Sequence, residues 1–156
     1  MDNSLHVAYL DSPIGQLRLV SNGRALVRIE FEGRHSADGE PQEDPVLNKT
    51  IDQLREYFAG KRQRFSVPVE PGGTDFQNRV WEALKAIPYG ELRSYRDIAD
   101  EIGNLKAVRA VGAANGRNPI PIVVPCHRVI GSNGQLTGFA GGLSTKQALL
   151  ELEGAG

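Results

Sequence analysis

The sequence predicts an α+β fold in two parts: an N-terminal antiparallel sheet with one helix, then a helical C-terminal half. Three observations carry this. Apolar residues alternate between turn signals over the first third of the chain. A segment with a helix start signal follows at Asp44-Pro45. Beyond residue 73 the apolar spacing changes to threes and fours, and glycine-containing turns separate short helices.

In order along the chain, Leu5, Val7 and Tyr9 alternate, as do Leu17 and Leu19, then Val27, Ile29 and Phe31. Ser12-Pro13-Ile14-Gly15 and Asn22-Gly23 punctuate these strands, and Asn-Gly suits a hairpin because both residues tolerate positive φ. Residues 32–43 are polar and read as a loop. Asp44 is the expected N-cap, with Pro45 at the first helical position. Leu47, Ile51, Leu54 and Phe58 form the apolar stripe, and Gly60 ends the helix. Residues 61–73, rich in Arg, Pro and Gly, read as a connection, which gives domains at 1–73 and 74–156.

Thr74 and Gln77 form an expected capping box for a helix with Phe76, Val80, Trp81 and Leu84 on one face. Pro88-Tyr89-Gly90 breaks it. Ser94 and Asp97 open a shorter helix through Ile98 and Ile102, stopped by Gly103. Asn104 is expected to cap the next, from about Lys106 to Asn115. Two short helices across such a turn make a helix-turn-helix pattern. On the second, Lys106, Arg109, Ala110, Ala113 and Arg117 fall near one face, with Val108 and Val111 on another. Two readings fit. The helix is thin enough to approach a phosphate surface, or its small residues pack tightly inside the protein. Residues 131–142 hold five glycines around Phe139 and Ala140, which suits a loop bringing backbone amides close to a ligand. Ser144 and Gln147 are expected to cap a last helix through Leu149, Leu150 and Leu152, ending near Glu153.

Composition limits the function. With 40% hydrophobic and 24% charged residues, the 156-residue chain has the balance of a globular protein. No apolar run reaches the length of a membrane span, and Met1-Asp2-Asn3-Ser4 lacks signal-peptide character. A single unpaired cysteine suits a reducing compartment, so a cytoplasmic location without membrane contact is expected. The net charge of −1 argues against a nucleic-acid partner, yet residues 93–128 hold six Lys/Arg against three Asp/Glu. Local charge is what a phosphate backbone meets.

That cysteine, Cys126, stands in Pro125-Cys126-His127-Arg128-Val129 behind Ile120-Pro121-Ile122-Val123-Val124, a run the prolines are expected to hold extended. A thiol beside an imidazole suggests nucleophilic chemistry. The bland reading is a small buried hydrophobe. His127 is the candidate base, and adjacent residues of an extended segment point apart, so a bridging water is the simpler geometry.

Together these segments resemble the O6-alkylguanine-DNA alkyltransferase family, the methylated-DNA–protein-cysteine methyltransferases. The resemblance runs through Thr74-Asp75-Phe76-Gln77, Val80-Trp81, Ile87-Pro88-Tyr89-Gly90, Ser94-Tyr95, Arg109-Ala110-Val111-Gly112, Asn118-Pro119, the Cys126 run and Thr137-Gly138-Phe139-Ala140-Gly141-Gly142. Asp11-Ser12-Pro13-Ile14-Gly15 is similar to the start of the family's N-terminal domain. The resemblance implies a ribonuclease-H-like N-terminal lobe and a C-terminal lobe with a winged helix-turn-helix. It also implies a single-turnover reaction that moves an alkyl group from guanine O6 in double-stranded DNA to Cys126, with no cofactor.

The same resemblance assigns roles. Arg109 enters the base stack as the nucleotide flips, and Lys106, Ala110, Ala113 and Arg117 lie along the DNA in its minor groove. Tyr95 crowds the 3′ phosphate and protonates guanine N3. Glu153 orients His127, and Asn118 steadies the turn around the site. The Cys126 and Val129 carbonyls receive the guanine 2-amino group, and the Ala140 amide receives O6. Phe139 departs from the family's frequent tyrosine. Arg128 is read as a salt bridge holding the lobes together. A metal is not expected, since the N-terminal lobe offers only His6 and His35 and no cysteine. The protein is expected to act as a monomer, with cooperativity along DNA left open. Three alternatives remain: a non-repairing sensor of alkylated DNA, in which tryptophan commonly replaces the cysteine; a helix-turn-helix regulator with an incidental cysteine; and a cysteine hydrolase.

Overall fold

The computed structural model describes residues 5–33, 40–134, 136, 139 and 141–155. The chain forms two compact units, Met1–Pro71 and Gly72–Gly156.

In the first unit, β1 (His6–Ser12), β2 (Gly15–Ser21) and β3 (Leu26–Glu30) form an antiparallel sheet in sequence order. The tight turn pairs Ser12 with Gly15, whose φ of 103° requires glycine. Alternation describes only part of this sheet. Leu5 is 53% exposed, whereas Ala8 and Leu10, of opposite parity to Val7, are buried along with it. β2 is buried on both faces from Leu17 to Ser21. Arg18 survives there by pairing with Glu30 of β3 at 2.5 Å, as a buried charge must. Helix α1 (Pro45–Phe58) packs across all three strands and buries Leu47, Leu54 and Tyr57. Asp44 caps it as the sequence predicts, accepting from the Val46 and Leu47 amides.

In the second unit, α2 (Asp75–Lys85) and α3 (Tyr95–Glu101) each begin with the expected capping box, at Thr74/Gln77 and Ser94/Asp97. Helix α4 (Val108–Gly116) follows a single 3-10 turn at Leu105–Ala107. It therefore starts two residues later than predicted, and Asn104 makes no side-chain cap. The indole Nε1 of Trp81 on α2 donates to the Ala114 carbonyl of α4 at 2.9 Å, tying the two helices together. Helix α5 (Leu143–Glu153) closes the unit. Gly142, at φ 91°, takes the N-cap position with no side-chain bond, displacing the expected Ser144.

The largest departure is at residues 120–124. They form no extended run: the Val124 amide bonds back to the Ile120 carbonyl at 2.9 Å, and Ile122 sits at φ 74°. A β-branched residue in that conformation is strained and must be held by its surroundings. Cys126–Arg128 then make one 3-10 turn, and β4 (Arg93–Ser94) pairs in parallel with β5 (Val129–Ile130).

Candidate active site

The residues around Cys126 are placed from three directions. Asn118 holds the strained turn before it: Nδ2 donates to the Val124 carbonyl at 2.8 Å, while Oδ1 accepts from the Ile120 amide at 3.0 Å. The β4–β5 pairing sets Ser94 beside Ile130, so Tyr95, the first residue of α3, starts next to the segment that follows the cysteine. Helix α5 supplies Lys146 and Glu153, both buried.

Cys126 is 4% exposed. Burial pushes its thiol up to about 11, against pulls from an Asn118 hydrogen bond and the Lys146 charge. The group needs a base, and His127 is the buried candidate. The two residues sit on a 3-10 turn, not on the extended chain the sequence suggested. The imidazole is fully buried, with Nε2 at 2.7 Å from Glu153 Oε2. Its Nδ1 is buried and has no hydrogen-bond partner among the described residues. Burial lowers its proton affinity and Glu153 raises it, with a net shift downward.

Glu153 is more crowded than expected. Arg128 donates Nε to Oε1 at 2.8 Å and Nη2 to Oε2 at 3.0 Å, and the Gly90 amide donates to Oε1 at 3.2 Å. Arg128 also donates Nη1 to the Ile87 carbonyl at 2.7 Å and lies 5.7 Å from the centre of the Tyr89 ring. These partners all belong to the second unit. They correct the reading of Arg128 as a bridge between lobes: the guanidinium is spent on the carboxylate that orients the histidine.

Two further groups escaped the sequence reading. Lys146 is fully buried and donates Nζ to the Val129 carbonyl at 2.6 Å; burial lowers its pKa and the Cys126 charge raises it. A signal existed, since residues 146, 149, 150 and 153 fall on one helical stripe, placing Lys146 and Glu153 in line with the buried Leu149 and Leu150. Asn115, buried on α4, points Nδ2 at the Cys126 carbonyl from 3.5 Å.

The exposed face of α4 argues against the reading in which its small residues pack tightly inside the protein. Lys106, Arg109, Ala110, Ala113 and Arg117 are all exposed, while Val111, Ala114 and Asn115 are buried. The Tyr95 ring lies beside Gly112 of α4, where a Cβ would stand in ordinary contact, 3.9 Å from Tyr95 Cδ1. Val129 is fully buried and Phe139 half-buried. Ala140, with Thr137 and Gly138, lies outside the described residues, as does His35. Among the described residues no group of three or more His, Cys, Asp or Glu could hold a metal ion.

Residues 5–71 match the family described as 6-O-methylguanine DNA methyltransferase, ribonuclease-like domain, and residues 75–155 match its DNA binding domain. The chain belongs to the 6-O-methylguanine DNA methyltransferase family. A methylated-DNA–protein-cysteine methyltransferase of Mycobacterium bovis is 50% identical over 152 residues, covering 96% of this chain and 92% of the relative. One from Methanosarcina acetivorans is 48% identical over 155 residues, covering 97% and 99%. Among solved structures of this family, Mycobacterium tuberculosis OGT in complex with DNA superposes with a TM-score of 0.89 at 51% identity, covering 96% of this chain and 93% of that one. The Mycobacterium tuberculosis O6-methylguanine methyltransferase gives 0.88 at 48% identity, covering 97% and 94%.

Proposed function

We propose that Cys126 is the acceptor in a DNA repair reaction that transfers an alkyl group from O6 of guanine to the protein, once per molecule. The observation that carries this is the arrangement on one turn. The chain's single thiol precedes a buried imidazole whose Nε2 is fixed by a carboxylate and whose Nδ1 is left for a water. Membership of the family supplies the reaction; the turn supplies the groups it needs.

A water between Sγ and Nδ1 carries the thiol proton to His127. The sulfur attacks the alkyl carbon, the C–O bond breaks, and its electron pair passes to the purine. Tyr95 gives guanine N3 a proton, so that neutral guanine leaves, and both His127 and Tyr95 are reset from solvent. The sulfur keeps the alkyl group as a stable thioether. Val129 and Cys126 offer carbonyls to the guanine 2-amino group, with Phe139 and Ala140 lining the pocket.

An O6 substituent lies inside the duplex, so the nucleotide has to leave the stack. The exposed stripe of α4 fits the minor groove, with small Ala110 and Ala113 allowing close approach and Lys106 and Arg117 meeting phosphates. Arg109 fills the gap, offsetting a few kcal/mol of lost stacking. These tasks fall to residues 74–156, with 1–73 as a supporting α/β lobe. The protein works as a monomer in the cytoplasm. No helix among the described residues is long and apolar enough to cross a membrane.

Intact-mass measurement after mixing with an oligonucleotide containing O6-methylguanine tests the proposal. The expected result is one added methyl group per chain, on Cys126, and at most one lesion repaired per molecule. Turnover by one molecule, or a label on another residue, refutes it.

A further inference from the structure

We propose that Arg128 is a positioning residue for proton transfer, pairing with Glu153 so that the carboxylate orients His127 without charging it. The inference rests on the alkyl-transfer reading above. A carboxylate offers about four lone-pair positions. Here Oε2 faces His127 Nε2 and Arg128 Nη2, and Oε1 faces Arg128 Nε and the Gly90 amide. The arginine and the amide can only donate, so Glu153 meets them, and the imidazole beside them, as an acceptor. Nε2 therefore carries the proton, and the lone pair is at Nδ1, the atom with no partner among the described residues.

An ionised carboxylate alone beside a buried imidazole favours the imidazolium, which cannot accept a proton. The bidentate guanidinium cancels that field while leaving the hydrogen bond intact. Arg128 is itself anchored by the Ile87 carbonyl and the Tyr89 ring. It follows His127 on the same 3-10 turn, so base and counter-charge move as one piece. Among the described residues, the charged groups that act on the imidazole are Glu153 and Lys146 from α5 and Arg128 from the turn, with the Cys126 thiol next in sequence. Helix α2 buries only Val80, Trp81 and Leu84 and brings no charge. The directions agree: burial lowers the His127 pKa, Glu153 raises it, and Arg128 and Lys146 lower it.

The test compares Arg128→Gln and Arg128→Lys with the wild-type chain. One readout is the pH profile of reaction with free O6-benzylguanine; the other is the 15N shifts of His127, one of three histidines in the chain. The acid limb marks loss of the neutral base. Removing the counter-charge should move it, and the His127 titration, upward by about 1–3 pH units. Lysine keeps the charge but not the fork, and should restore most of that shift. An unmoved limb and titration in folded Arg128→Gln overturns the proposal, as does a lysine variant displaced as far as the glutamine one. If Arg128→Gln does not fold, the lysine variant and the wild type decide: wild-type His127 must be neutral at pH 7 with its proton on Nε2, and an imidazolium there overturns the proposal. Failure of the wild type to take up methyl from the O6-methylguanine oligonucleotide would instead remove the alkyl-transfer reading. The 15N titration, which needs no reaction, would still judge Arg128.

Discussion

Glu153→Gln isolates the charge at the centre of the site with little change in volume. Glutamine has one acceptor oxygen and one NH2 group, and four donors converge on it. Turned one way, the NH2 meets His127 Nε2 and Arg128 Nη2; turned the other, it meets Arg128 Nε and the Gly90 amide. At least one donor-to-donor contact is unavoidable, because His127 can switch tautomer and accept but Arg128 and the Gly90 amide can only donate. The Glu153 and His127 side chains are 0% exposed and that of Arg128 is 6% exposed, so water does little to relieve it. Breaking a buried ion pair by removing one partner costs about 3–5 kcal/mol. Set against a typical total of about 5–15 kcal/mol, that is a large share of the stability. At about 2–4 °C per kcal/mol for a chain near this size, the melting temperature should fall by roughly 6–20 °C. Urea unfolding followed through Trp81, the single tryptophan and itself buried, measures the loss in this unit. Reaction with O6-benzylguanine should slow by about 10²–10⁴-fold as the base loses its orientation. A variant that loses less than about 1 kcal/mol and reacts at the wild-type rate would refute the network described for Glu153.

Arg109→Ala should slow repair in duplex DNA far more than reaction with free O6-benzylguanine, which needs no flipping; equal losses would make Arg109 a support of the pocket. Tyr95→Phe, assayed with the same two substrates, should slow both if the hydroxyl protonates guanine, and only DNA repair if the ring crowds the phosphate. In the first unit, burial would raise the Asp44 pKa, but bonds from His6, Ser21 and the Leu47 and Val46 amides outweigh it and hold it below 3.8. A depressed carboxyl stabilises the fold above its unfolded pKa and ceases to do so as pH falls through the folded value. Asp44→Ala should therefore cost about 1–2 kcal/mol at neutral pH, and acid titration of both chains should show the gap closing below about pH 4.

The helix starts at Asp44, Thr74 and Ser94 were legible because a cap is chemistry between residues two or three apart. The α4 face was legible as a pattern, but its exposure was not, since small residues suit a surface and a tight interior equally. Residues 120–124 were misread because the decisive bonds come from Asn118 and from a turn that forces Ile122 to a conformation its own side chain disfavours. Nothing local announces that. The pairing of Arg128 with Glu153 spans 25 positions, and periodicity carries no information over that range. His127 and Glu153 were linked through family resemblance alone. Lys146 was within reach, had a charged residue on the stripe of α5 been weighed as buried.

Helix α5 fastens the reactive turn at two points separated by seven residues, two turns of helix: Lys146 on the Val129 carbonyl and Glu153 on His127 and Arg128. The nucleophile and its fastener therefore lie on opposite sides of the glycine-rich stretch 131–142. A single cut there leaves a fragment that owns the thiol and an eleven-residue helix that owns the carboxylate and the ammonium. Neither piece holds a complete proton path. Reactivity then becomes a matter of supply: adding the helix as a peptide in increasing amounts should return it along a binding curve, a handle for making this irreversible chemistry conditional.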